Sequence, residues 1–249
     1  MRFQMKPVIL ITLHRRYHEL HKSLKNIYDK KDFFKTEPSI VLIWADPEPS
    51  RKWFIDSLLK EKIIHHVIYR YKLPSDSGAY GTTFSESQNI RLGLENVFRL
   101  YDDCYCIVLA SDICISKYGL YLIDQEMKNG AKVVNFVWIN RFISKAWHTN
   151  CFSVCKEKKY WPPCCDLKCT DTLERLWYNE CYSYRGITTL SNNNEIVFTH
   201  RHISEKMDAF PAKPANIKTT FNLFIKGSMT LLKRLRCIFL GDINVKNSD

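Results

Sequence analysis

No N-terminal stretch of this chain is apolar for long enough to cross a membrane. The run Pro7–Leu13 (PVILITL) falls far short of the ~20 residues that a spanning helix needs. A secretory leader is not expected either, because Met1–Lys6 leads into that short run and charges resume directly after it. The ten cysteines include no C-x-x-C pair, so they carry no strong zinc or redox signature. Cys151, Cys155, Cys164, Cys165 and Cys169 cluster only at looser spacings, and the expectation is small buried hydrophobes in a reducing, cytoplasmic setting. There is no internal repeat and no RNA- or DNA-binding module, and lysines and arginines are scattered along the chain, so no nucleic-acid partner is expected. Acid is in short supply: 26 Asp and Glu against 37 Lys and Arg give a formal charge of +11. That balance points to an anionic partner, substrate or docking surface.

What is present is enough for a sizeable core, since 45% of the 249 residues are hydrophobic and 13% aromatic. Short β-rich runs alternate with helical patterns. Pro7–Leu13 is followed by YHELHKSLKNIYD, where Leu20, Leu24, Ile27 and Tyr28 recur at helical spacing. A second strand, Ser39–Asp46, precedes a short helix opened by Ser50, and a third strand covers Ile63–Tyr71. After a Ser/Gly-rich loop from Ser75 come the helix SESQNIRLGLENVFRLY, beginning at Ser85, and the strand CYCIVLAS. This alternation predicts an α/β fold with a mostly parallel sheet flanked by helices, the first 115 residues forming a nucleotide-binding-type half. Ligands of such sheets sit beyond the carboxyl ends of the strands, so Asp112, at the end of CYCIVLAS, is the leading functional candidate.

The second half, 116–207, is less regular: strands at Ala131–Ile139 and Asn150–Cys155, the breaker-rich loop WPPCCDLKCTD, a helix opened by Asp171, and a last strand, Glu195–Ile203. Residues 208–249 change character. A Pro/Ala/Lys linker leads to NLFIKGSMTLLKRLRCIFL, which places Leu223, Phe224, Leu231, Leu235 and Phe239 among Lys226, Lys233, Arg234 and Arg236. Two expectations fit this basic amphipathic tail: a helix lying on an anionic membrane surface, or one packed on a domain or partner.

Four segments together resemble GT-A class nucleotide-sugar glycosyltransferases, in particular small bacterial enzymes of surface-polysaccharide synthesis. They are ITLHRRYHELHKSLKNI, VLIWAD, the pair NIRLGLENV and CIVLASD, and TDTLERL followed by VFTH. The resemblance implies a Rossmann-type mixed sheet, a nucleotide-sugar donor and a glycan or lipid-linked acceptor. By position, it puts Thr12, His14, Arg15 and Arg16 along the nucleotide, Asp46 near base or ribose, and Asn89 and Arg91 near the sugar diphosphate. Ser111-Asp112 takes the place of the paired acids, with Asp112 and His200 as ligands of a divalent Mn²⁺ or Mg²⁺. Asp171 stands where inverting members hold the base, and Trp161 is expected to meet the acceptor.

Each assignment has a structural competitor. Asp112 could cap a helix beginning near Ser116, and Asp171 could serve only as an N-cap, as Asp commonly does. His200 and His202 alternate along one strand, so only one of them faces a given side. Inversion is the expected stereochemistry, while a retaining reaction would leave Asp171 structural. The single acid at Asp112 departs from the usual pair, and without a metal the arginines would have to neutralise a diphosphate. Two further classes stay open: a catalytically inactive scaffold on the same fold, and a basic nucleic-acid-binding protein.

Overall fold

The computed structural model describes residues 5–30, 33–34, 36–71, 79–137, 149–165, 172–181, 183–191 and 197–200. Its first three strands are β1 (Lys6–Leu13), β2 (Ser39–Ala45) and β3 (His66–Arg70), separated by α1 (Tyr17–Tyr28) and α2 (Lys52–Lys60). The long helix α3 (Ala79–Leu100) leads into β4 (Cys104–Ala110), the short β5 (Ile113–Ile115) and α4 (Lys117–Lys128). Next come β6 (Val133–Val137), β7 (Cys151–Val154), α5 (Leu173–Cys181), β8 (Ile187–Ser191) and β9 (Phe198–His200).

Seven strands form one sheet in the order β3-β2-β1-β4-β7-β6-β8, and β5 pairs with β9 in a separate ribbon. All neighbours in the large sheet run parallel except β7, which is antiparallel to both β4 and β6. β1 and β2 read as almost continuous aliphatic runs because helices cover both faces of the sheet. Side chains alternate between the faces. Ile9, Ile11, Leu13, Leu42 and Trp44 pack with Leu20 and Leu24 of α1, Ile55 of α2 and Leu120 of α4. Val8, Leu10, Val41 and Ile43 pack with Ile90 and Leu94 of α3 and Trp177 of α5. Each fully buried aliphatic side chain contributes roughly 1.5–3 kcal/mol by leaving water. α3 lies so close to the sheet that a Cβ at Gly93 would stand 2.4 Å from Ile43 and 2.6 Å from Leu10.

Several expectations shift. α3 starts at Ala79, not Ser85, so the segment expected as loop through Thr83 already holds helical backbone. The third strand shortens to His66–Arg70; within the described residues the fifth run is strand over Val133–Val137 and the last over Phe198–His200, with expected flanking residues of both lying outside the description. β5 and β8 were not predicted. The helix opened near Ser116 is present, and its cap is Ser116, whose hydroxyl accepts from the Gly119 amide at 2.9 Å. Most of the thiols behave as expected of buried hydrophobes: the described cysteines are free, all are buried except the exposed Cys164 and the half-buried Cys155, and burial pushes Cys104 and Cys181 up to about 12. No described helix is long and apolar enough to cross a membrane. The amphipathic tail, 208–249, lies outside the described residues.

Candidate functional site

The strand order reverses between β1 and β4, and parallel sheets of this kind open a crevice beyond the carboxyl ends at such a point. A cleft of about 290 Å³ lies there, at the small end of the range for ligand pockets. β1 supplies Thr12 and Leu13, with His14 directly after it; β2 supplies Ala45, with Asp46 directly after it; β3 ends in Arg70. The opposite wall is Ser85, Glu86 and Asn89 of α3, with Asn150 ahead of β7.

The β1–β2 rim is built from paired charges on unusual backbone. Arg15 and Asp46 both adopt left-handed conformations, φ 56° and 54°, which cost non-glycine residues on the order of 1 kcal/mol each. They are joined to each other, the Arg15 guanidinium donating to Asp46 Oδ2 at 2.6 Å, and Arg15 Nε also lies 3.6 Å from Glu48. Beside the cleft, the Arg16 guanidinium donates to Asp112 Oδ2. Asp112 is only 5% exposed whereas half of Arg16 faces solvent, so the carboxylate depends on partners inside the fold. The loop that carries it is tied down by α1. The Ser23 hydroxyl lies 2.9 Å and 2.6 Å from the carbonyls of Ser111 and Ile113, and Asn26 accepts from the Ile115 amide at 3.1 Å.

The α3 wall is different. Asn89 Oδ1 is buried and has no hydrogen-bond partner among the described residues. One turn earlier, Glu86 meets the Thr149 hydroxyl at 2.5 Å, and the same hydroxyl lies 3.2 Å from Glu174 of α5. Burial, reinforced by the Glu174 charge and opposed by the Thr149 hydrogen bond, pushes the Glu86 carboxyl up to about 7 from an ordinary 4.5.

Of the residues expected from sequence, Thr12, His14, Asp46 and Asn89 line this one cleft, with Arg15 bonded to Asp46 at its edge. Arg16, Ser111 and Asp112 stand next to it, outside its lining. Arg91 is turned away: it donates to the Pro162 carbonyl at 2.9 Å and lies over the Trp161 ring. Trp161 is 2% exposed and stacked on Phe98, so it offers no surface to an acceptor and packs the α3 face instead. His200 pairs through its backbone with Ile113, next to Asp112; its side chain lies outside the description. Asp171 lies outside the described residues.

A divalent Mn²⁺ or Mg²⁺ requires several oxygen ligands with access to water. Asp112 and Ser111 are 5% and 3% exposed, Asp112 already carries a guanidinium, and no group of three or more metal-ligating side chains gathers among the described residues. Among the described residues the oxygen donors at this point are therefore the Asp112 carboxylate, held by Arg16, and Ser111; the side chain of His200, the other expected ligand, lies outside them.

Glu86, Arg70 and Thr149 were not singled out from sequence. Arg70 lies at the end of a predicted strand, so the strand-end rule that pointed to Asp112 reaches it too. Glu86 reads as a surface residue near a helix start, and nothing local signals its burial.

A parallel sheet reversing between β1 and β4, with one antiparallel strand inserted after β4 and helices on both faces, is the GT-A fold of nucleotide-sugar glycosyltransferases. Among solved structures, residues 1–349 of TarS from S. aureus align with a TM-score of 0.52 and 14% identity, covering 76% of this chain and 58% of that one. The same fragment in complex with UDP gives 0.51 and 12%, with the same coverages. A mannosyltransferase from Pyrobaculum calidifontis in complex with GDP-Man and Mn²⁺ gives 0.50 and 9%, covering 77% of this chain and 56% of that one. The chain thus spans a little over half the length of these structures. No family model matches the sequence, and no curated protein matches it.

Proposed function

We propose that the protein transfers a sugar from a nucleotide-activated donor to a hydroxyl of a glycan or lipid-linked acceptor in surface-polysaccharide synthesis. The observation that carries this reading is the cleft at the carboxyl ends of β1, β2 and β3 of a GT-A fold, rimmed by Arg15, Arg16 and Arg70. Structures of similar fold hold UDP and GDP-Man, which supports a nucleotide-sugar donor here.

In the reaction, the acceptor oxygen attacks the anomeric carbon, the bond from that carbon to phosphate breaks, and a nucleoside diphosphate departs. Fixed cations must stabilise the charge that develops on it. Arg15 and Arg16 stand at the edge of the cleft with their guanidinium groups half exposed, able to meet a diphosphate while holding Asp46 and Asp112. The hydroxyl proton must pass to a carboxylate within hydrogen-bond reach; Asp171, two residues ahead of α5, is assigned that role, with inversion as the outcome. The basic tail is assigned a peripheral contact with anionic lipid on the cytoplasmic face of the membrane.

A thermal-shift panel of UDP, GDP, CDP, CMP and dTDP, each with and without Mn²⁺ or Mg²⁺, tests the reading, since a ligand that binds only the native state raises its stability. A selective shift that needs no added metal is expected. A shift that appears only with metal would move diphosphate stabilisation from the arginines to an ion. No shift with any nucleotide would overturn the assignment. The occupied Asp112 carboxylate favours one second reading, a donor-binding scaffold without turnover; binding with no transfer to any glycan acceptor would establish it.

A further inference from the structure

We propose that Glu86 is a donor-binding residue that works as a neutral carboxylic acid, forming with Asn89 an uncharged acceptor wall for the hydroxyl and N–H groups of the nucleoside, so that the donor enters with uptake of a proton. The inference rests on the nucleotide-sugar reading above and deepens it.

The hydroxyl of Thr149 sets the proton count. A threonine hydroxyl has one proton to give, yet its oxygen lies 2.5 Å from Glu86 Oε1 and 3.2 Å from Glu174 Oε1. One proton shared between two ionised carboxylates would leave them repelling each other, and both contacts become full hydrogen bonds when one carboxyl is protonated. Glu86 is the one that is half-buried in the cleft wall, and that burial raises its carboxyl to about 7. The balanced arrangement places the extra proton on Glu86 Oε1, donated to Thr149 Oγ1, while the Thr149 proton goes to Glu174. The second oxygen of Glu86 is then an uncharged acceptor, one helical turn from the unpartnered Oδ1 of Asn89.

Two neighbouring acceptors attract ribose hydroxyls and base N–H groups and repel phosphate oxygens. The diphosphate is therefore directed to the other wall, where Arg15 and Arg16 stand. The charged and titratable groups around Glu86 are Glu174 from α5, Asp46 after β2, Arg70 at the end of β3 and His14 after β1. An anionic donor filling the cleft adds negative charge and excludes water, and both effects favour the protonated form of Glu86. Above its free pKa, binding must then draw one proton from solvent.

The test is calorimetric titration of the full chain with UDP, GDP, CDP and dTDP at pH 8, in two buffers of different ionisation enthalpy, with E86Q as the matched control. For whichever nucleotide binds, wild type is expected to take up close to one proton at pH 8, and its affinity to fall roughly tenfold per pH unit above 7 relative to E86Q. E86Q, an isostere of the neutral acid, is expected to bind without that uptake and to keep its affinity at pH 8. N89A is expected to lose about tenfold in affinity at every pH. Equal proton uptake in wild type and E86Q would overturn the inference while leaving the nucleotide reading standing. So would loss of binding in E86Q with a native circular-dichroism spectrum, because the ionised carboxylate would then be the binding form. Absence of binding by all four nucleotides would overturn the nucleotide reading itself, and the inference with it.

Discussion

Two walls face each other across the same cleft and are built on opposite terms. On the β1–β2 rim every acid named above has a cation: Asp46 has Arg15, and Asp112, beside the cleft, has Arg16. On the α3 wall Asn89 has a buried oxygen without a partner, and Glu86 shares a single hydroxyl with a second carboxylate. The rim is satisfied by the fold itself and can exchange its guanidinium contacts with an incoming anion. The α3 wall has spent folding energy on groups that the fold leaves incomplete, and such groups are found where a ligand completes them.

The largest expected effect separates both walls from the chemistry. Asp171→Asn should lower transfer, followed as nucleoside diphosphate release, by about 10²–10⁴-fold, with nucleotide affinity unchanged. Undiminished transfer would place the base elsewhere, with Glu174 the nearest carboxylate in sequence on α5.

The next effect sharpens the contrast through pH. A carboxyl whose folded pKa is raised from 4.5 to about 7 binds more protons folded than unfolded between those values. Stability is therefore lost as pH rises through that window and stays low above it. E86Q should be more stable than wild type at pH 8, by up to about 3 kcal/mol, and the difference should vanish near pH 4.5. Denaturant melts at the two pH values measure it. A difference independent of pH would mean that Glu86 is an ordinary carboxylate in the native state.

On the rim the effects should be smaller, because water reaches the arginines. Arg16→Ala leaves the 5% exposed Asp112 without its guanidinium; with the half-exposed arginine discounted for screening, a loss of about 2 kcal/mol is expected. Nucleoside diphosphate affinity should fall at least tenfold in the same variant. Arg15→Ala, at a more exposed pair, should change stability by less than about 1 kcal/mol. A larger loss from Arg15→Ala than from Arg16→Ala would invert the account of the rim.

How much of this was legible follows from what sets each feature. The parallel strands were, because two-sided burial writes itself as the runs VILIT and CIVLA. Asp112 was found by the strand-end rule, and Thr12, His14 and Asp46 by the family resemblance, which places them at the ends of the first two strands. Gly93 sits inside the helical segment used for the family resemblance, and its reason is packing: any side chain there would collide with Ile43 and Leu10. β5 and β8 escaped because short strands at an edge or in a two-stranded ribbon leave little periodicity to read. Ser23 and Asn26 look like the polar face of α1, yet they are buried and hold the Asp112 loop. Arg91 and Trp161 were drawn toward a ligand by their chemistry, and the fold uses both for packing: Arg91 of α3 donates to the Pro162 carbonyl, and Trp161 stacks on Phe98 of the same helix. Glu86 was invisible because its burial comes from Thr149 and Glu174, more than 60 residues away.

The most direct test of the central claim, that this cleft takes the nucleotide donor, is a crystal structure grown with the nucleoside diphosphate that gives the largest thermal shift. The account predicts the nucleoside between Thr12, Asp46 and Asn89, within hydrogen-bond reach of Asn89 Oδ1, and the phosphates toward Arg15 and Arg16. A nucleotide bound elsewhere, or lying in the cleft with its phosphates against Glu86, would contradict it.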